Sequence, residues 1–148
     1  MEGKMRMTPE GFQNLKKYEG CHLTAYRDPS GIYTIGYGQT AGVKYGMQIT
    51  QEEADAWLDM YVVRLEQALS NVIEVELKPH QWDAIVSFVY NIGLGNFKKS
   101  HLLAKINKNP DDPTIFMEFG RWTKARGQKL DKLIRRRAWE ASRWAGNE

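Results

Sequence analysis

A chain of 148 residues with 42% hydrophobic and 26% charged side chains has the size and balance of one globular domain with a sizeable core. Its 13 Gly and 5 Pro exclude a collagen-like or low-complexity chain, the single Cys21 excludes an internal disulfide, and the lack of a long apolar run argues against a signal peptide or a membrane span. The net charge of +3 is unevenly placed, with nine Lys or Arg against three acids in residues 121–148 and twelve against fifteen in residues 1–120, which suits either a polyanionic partner or a solvated basic helix face.

In chain order, Thr8-Pro9-Glu10 reads as a helix N-cap with proline at the first helical position. Phe12, Leu15 and Glu19 then fall on one helical face, and Gly20 supplies the stop. From Cys21 to Gly38 the pattern becomes Tyr, Thr and Ile punctuated by Gly, with a turn at Asp28-Pro29-Ser30-Gly31, so a small antiparallel sheet is predicted. Cys21 is expected to be a small buried hydrophobe. Thr50-Gln51-Glu52-Glu53 is a capping box, and Ala54, Trp57, Leu58, Tyr61, Val62, Leu65 and Leu69 continue it as a long amphipathic helix.

Pro79 opens a segment that is apolar nearly all round up to Gly93, the pattern of a helix at the centre of a core. Shorter helices are predicted at His101 to Asn107 and, after Asp112-Pro113, at Thr114 to Phe119. A last helix carries Leu130, Leu133, Ile134, Arg137, Ala138, Ala141 and Trp144 on one stripe. With no repeat and no separating linker, the expected fold is α+β, a single domain 1–148. A small N-terminal lobe with the sheet (1–50) is joined by a connecting helix (51–70) to a larger helical lobe (71–148), with the cleft between lobes as the default binding site.

Glu19 sits at the predicted C-terminal end of the first helix, where the negative end of the helix dipole disfavours a carboxylate. Burial there would act in the same direction, making a carboxylic acid able to donate a proton. Asp28, nine residues on, also suits the first position of a turn for structural reasons. Paired across a turn and a strand, two carboxyls give the acid and the base or nucleophile that glycosidic hydrolysis requires, and the Thr34 hydroxyl could hold a water beside Asp28. His22, His80 and His101 are scattered without partners at ligand spacing, so no metal site and no cofactor are expected.

Tyr18-Glu19-Gly20, Tyr26-Arg27-Asp28-Pro29-Ser30-Gly31 and Thr34-Ile35-Gly36-Tyr37-Gly38, with eight residues between Glu19 and Asp28 and five between Asp28 and Thr34, resemble the phage-type lysozymes, the endolysins of glycoside hydrolase family 24. The resemblance continues in Ser87-Phe88-Val89-Tyr90-Asn91-Ile92-Gly93, Gly95-Asn96-Phe97, Leu102-Leu103, Arg121-Trp122 and the Arg-rich final helix. It implies a lysozyme-like fold and hydrolysis of the β-1,4 bond between N-acetylmuramic acid and N-acetylglucosamine in bacterial peptidoglycan. By the same carry-over Glu19 is the general acid, and Asp28 with Thr34 activates water in an inverting reaction. Tyr33, Tyr37, Tyr90, Asn91 and Ser100 are the candidate substrate-binding residues. The last three positions also suit a core aromatic, a helix C-cap and an N-cap.

Gln39 departs from the pattern, since relatives often carry a His there. The resemblance further implies accumulation in the host cytoplasm, release by a holin without direct contact, and action on the cell wall as a monomer with no stable membrane insertion. Arg135, Arg136, Arg137 and Arg143 near Lys129 and Lys132 would attract an anionic envelope, or form a solvated face on a packed helix. Three rival readings remain: a lytic transglycosylase on the same bond, a non-catalytic wall-binding protein on the same fold, and a nucleic-acid-binding domain. No nucleic-acid motif accompanies Arg135-Arg136-Arg137, so nucleic acid is not an expected partner.

Overall fold

A computed structural model describes residues 5–125 and 127–147. Met1 to Lys4, part of the start read above as lacking a leader, and Arg126 and Glu148 of the basic tail therefore lie outside the described residues. The elements in chain order are α1 (Pro9–Glu19), β1 (His22–Arg27), β2 (Tyr33–Gly36), α2 (Gln51–Val72), α3 (Pro79–Ile92), α4 (Leu94–Lys98), α5 (His101–Lys108), α6 (Ile115–Phe119), β3 (Lys124–Ala125), β4 (Gln128–Lys129) and α7 (Asp131–Trp144). They fall into two compact units, Gln13–Arg64 and one formed by the described residues before and after it. The cuts lie inside α1 and inside α2, rather than at residues 50 and 70.

In the unit Gln13–Arg64, β1 and β2 form an antiparallel pair with Tyr26 opposite Thr34 and Arg27 opposite Tyr33. The other edge of β1 is held by Ala25 N donating to Met47 O at 2.8 Å and by Ile49 N donating to Leu23 O at 2.9 Å. Leu15, Ile35, Ile49, Ala54, Leu58 and Val62 supply its buried apolar side chains. The capping box of α2 forms as read, with Glu53 N donating to Thr50 Oγ1 at 3.1 Å and Thr50 N to Glu53 Oε1 at 2.9 Å. Tyr61 stands at the edge of that helix's apolar stripe and is exposed, while Leu58, Val62, Leu65 and Leu69 fill it.

In the other unit, Thr8 caps α1 by accepting from Gly11 N at 3.0 Å, and its own hydroxyl donates to Asp83 Oδ2 at 2.6 Å. Residues Gln81 to Val89 of α3 are buried without interruption. Phe88 meets Phe97, Phe119 and Trp122 edge to face, the arrangement aromatic quadrupoles favour. α7 packs on α3.

The inward side of α7 keeps Arg137 and Trp144 of the stripe read in the sequence and departs from it at Arg136, Glu140 and Ile134. Arg136, Arg137, Glu140 and Trp144 are buried, whereas Ile134 is exposed. Buried charges are tolerable here because they are paired: Arg137 Nε and Nη2 reach the Glu140 carboxylate at 2.6 and 3.0 Å, Ser87 Oγ donates to it at 2.6 Å, and Arg136 Nη2 donates to Ser87 O at 2.9 Å. The solvated basic face therefore shrinks. Arg136 and Arg137 belong to the core and Arg143 binds Asp83 at 2.7 Å, which leaves Lys129, Lys132 and Arg135 exposed.

Three elements were not anticipated. α4 is a five-residue helix opened by Gly93, at φ 92, and anchored by fully buried Phe97. The two-residue strands β3 and β4 pair Lys124 with Lys129 and Ala125 with Gln128, with Gly127 at φ 78 in the turn. All three are too short to leave a periodic signal.

Candidate active site

Glu19 is the last residue of α1, as the sequence indicated, and is half-buried. Gly20 follows with φ 69, a conformation that favours glycine, and its N–H donates to Lys16 O at 2.9 Å, closing the helix end on which Glu19 is carried.

Asp28 organises the β1–β2 turn. Its Oδ1 accepts from Ser30 N at 2.8 Å and from Ile32 N at 2.9 Å, while its backbone carbonyl accepts from Gly31 N at 2.8 Å. This is the side-chain-to-backbone pattern that makes Asp favourable at such a turn. Thr34 is buried on β2, and its hydroxyl donates to Ile32 O at 3.0 Å. Asp28 N donates to the same carbonyl at 2.9 Å. Asp28 and Thr34 are thus fixed to the backbone of one residue, Ile32, which binds Asp28 through both its N–H and its carbonyl. That role of Ile32 was missed in the sequence, although the Asp-Pro-Ser-Gly pattern was the available signal for a carboxylate turned onto the backbone.

The two candidate tyrosines of this unit, Tyr33 and Tyr37, have other partners. Adjacent residues on a strand point to opposite faces, so Tyr33 leaves Thr34 behind and shares a face with its cross-strand partner Arg27. The Arg27 guanidinium lies 5.5 Å from the Tyr33 ring centroid. Tyr37 is buried, and its hydroxyl donates to Asp55 Oδ1 at 2.7 Å and accepts from Gln51 Nε2 at 3.1 Å. Burial, and then the Asp55 carboxylate, push the Tyr37 phenol well above its ordinary value. The Tyr37 hydroxyl bond, with Gln51 and Lys16, holds Asp55 below the usual carboxylate range.

Tyr37, Gln51 and Asp55 line an open pocket of about 680 Å³ with Lys16, Lys17 and Cys21. Neither Glu19, Asp28 nor Thr34 lines it. Cys21 is half-exposed there, 3.8 Å from Gln51 Nε2, rather than a fully buried hydrophobe. Gln39 closes a tight turn. Its Oε1 accepts from Tyr37 N at 2.9 Å, and a Cβ on Gly36, at φ 66, would meet that oxygen at 2.5 Å.

The remaining candidates belong to the other unit. Tyr90 is half-buried and Asn91 exposed, both in the last turn of α3, with Gly93 and not Asn91 at the C-cap. Ser100 caps α5. It is buried, its Oγ accepts from Leu103 N at 3.1 Å and donates to Phe97 O at 2.7 Å, so the hydroxyl is engaged in helix capping. Among the described residues, no helix is long and apolar enough to cross a membrane.

Residues 16–140 match the profile of the family described as phage lysozyme. An endolysin of Acyrthosiphon pisum secondary endosymbiont phage 1 is 39% identical over 137 residues, covering 90% of this chain and 93% of the relative. The endolysin of Salmonella phage P22 is 37% identical, with 90% and 93% covered. The endolysin of Bacillus phage PZA is 34% identical, and the match spans 54% of that longer protein. Among solved structures, the muramidase domain of SpmX from Asticaccaulis excentricus matches with a TM-score of 0.85 at 33% identity, covering 95% of this chain and 97% of that one. A variant of P22 lysozyme matches with a TM-score of 0.82 at 36% identity, with 95% and 99% covered.

Proposed function

The chain belongs to the phage lysozyme family and is a peptidoglycan-hydrolysing glycosidase of the endolysin type, and from that premise we propose that Glu19 is its general acid and that Asp28, with Thr34, prepares the attacking water. The bond cleaved is the β-1,4 link between N-acetylmuramic acid and N-acetylglucosamine. Glu19 protonates the leaving glycosidic oxygen while water attacks the anomeric carbon from the opposite face, which inverts that carbon.

The observation that supports this most directly is the shared anchoring of Asp28 and Thr34 on Ile32. The Thr34 proton is committed to Ile32 O, so the hydroxyl oxygen meets a water only as an acceptor. A water that donates one hydrogen to Thr34 Oγ1 and the other to the Asp28 carboxylate turns its lone pair away from both, toward the sugar carbon. As the bond forms, Asp28 takes the proton and Glu19 has given one up, so the pair ends with its protonation exchanged. The carboxylate of Asp28 is held by backbone N–H groups and keeps its position as its charge changes.

We further propose that the protein works as a monomer, accumulates in the host cytoplasm and reaches the wall through a holin that it does not contact. The decisive measurement is reducing-end release from purified peptidoglycan, with product masses and anomeric configuration. Glu19→Gln is expected to lower release by about 10²–10⁴-fold with the fold intact. Wild-type product is expected to appear first as the α anomer. A 1,6-anhydro product, lighter by one water, would overturn hydrolysis in favour of transglycosylation, and wild-type turnover in Glu19→Gln would remove Glu19 from the acid role.

A further inference from the structure

On the sheet face that Tyr33 shares with Arg27, away from Thr34, Tyr45 extends the cluster. Its ring meets Tyr33 edge to face at a centroid distance of 6.2 Å, and Arg27 covers Tyr33 at 5.5 Å. Tyr45 is 85% exposed, so packing accounts for little of its presence. Lys44, its neighbour in sequence, is exposed as well.

We propose that Arg27, Tyr33 and Tyr45 form a second glycan-binding surface, separate from the hydrolytic residues, that holds an adjoining strand of the peptidoglycan network. The proposal rests on the peptidoglycan activity described above. Two chemistries converge on that ligand. Exposed aromatic rings fit the C–H faces of pyranose sugars, combining apolar contact with a polar edge. A guanidinium held over a ring still presents N–H donors to carboxylates, which peptidoglycan carries on its lactyl-linked peptides. The opposite-face geometry of neighbouring strand residues makes the surface distinct: a strand lying on Tyr33 and Tyr45 does not compete with one presented to Asp28 and Thr34. Two weak contacts with one insoluble polymer raise the local concentration of substrate at the site, so the gain is confined to polymeric wall.

The test uses Glu19→Gln protein, which binds without consuming its ligand, co-sedimented with purified sacculi. Adding Tyr45→Ala is expected to weaken sedimentation about threefold to tenfold, the range of one aromatic contact, and Tyr45→Phe is expected to restore it. In the Glu19 background, Tyr45→Ala should slow clearance of dilute sacculi and leave turnover of short water-soluble glycan fragments unchanged. At 85% exposure the substitution does not threaten the fold. Equal sedimentation with and without Tyr45→Ala would overturn the proposal, as would equal losses on sacculi and on soluble fragments, which would put Tyr45 at the hydrolytic site. Failure of the parent protein to release reducing ends from sacculi would instead overturn the underlying activity, so the two failures are separable.

Discussion

In the helical unit, Glu66, Asp83, Glu118 and Glu140 are each at most 4% exposed, and each holds a cation: Arg6 at 2.8 Å, Arg143 at 2.7 Å, Lys105 at 2.7 Å and Arg137 at 2.6 Å. In the unit Gln13–Arg64, by contrast, Glu19 and Asp28 are half-exposed, one at a helix end and one in a turn, and Asp28 is held by backbone N–H groups. A buried carboxylate is stable only with its counter-charge in place, so protonating it disrupts the fold. A carboxyl held by backbone N–H groups, as Asp28 is, keeps its position while its charge changes. The same residue type is therefore structural in one unit and, on the proposed mechanism, transfers protons in the other.

The largest expected effect falls on the structural side. Burial pushes the Glu140 carboxyl up, and Arg137, Arg136 and Ser87 oppose that shift. Glu140→Gln leaves two buried guanidiniums without a counter-charge and is expected to cost about 3–5 kcal/mol, read as a fall in denaturation midpoint. Specific activity of the folded fraction should stay near wild type, and a selective loss of turnover would break the contrast between the units. Next comes Asp28→Asn. Asparagine keeps Oδ1 as the acceptor for Ser30 and Ile32, so stability should hold while turnover falls about 100-fold. A loss of stability without a loss of turnover would move Asp28 to the structural side. Smaller again is Thr8→Ala, which removes the cap of α1 and a partner of buried Asp83 and is expected to cost about 1–2 kcal/mol in thermal unfolding.

This division also explains what was legible in the sequence. Local rules carried α1, with Thr8 before Pro9, and α2, with its capping box at Thr50, because the cap and the apolar period lie within a few residues of each other. They carried the turn at Asp28 and the end of α1 at Glu19 for the same reason. The inward face of α7 was legible only in part, at Arg137 and Trp144. Arg136 is buried by Ser87 on α3 and by Glu140 on the next turn of α7, and a hydropathy pattern assigns an arginine to solvent whatever its partner 49 residues away. Ser100 and Tyr37 show the converse limit. Their residue types allow a site or a scaffold role, and only the partners, Leu103 N for one and Asp55 for the other, reveal how the hydroxyl is used.

Glu118 sharpens the contrast at the smallest scale, through pH. Burial raises its pKa, but Lys105 at 2.7 Å, together with Arg121 and His101, outweighs burial and holds the carboxyl below the usual range. A carboxyl depressed in the folded state contributes stability that is fully present above its unfolded value, about pH 4.3 for glutamate, and is lost as pH falls through the lower folded value. Glu118→Gln is therefore expected to be less stable than the parent by about 1 kcal/mol near neutrality, since its partners Lys105 and Arg121 remain partly solvated. The gap should close as the solution is acidified, because the parent loses the same charge. Thermal midpoints of the two proteins measured from neutral to strongly acid pH should converge. A gap that stayed constant would mean that Glu118 acts through shape and hydrogen bonding, and its ion pair with Lys105 would then carry no net stability.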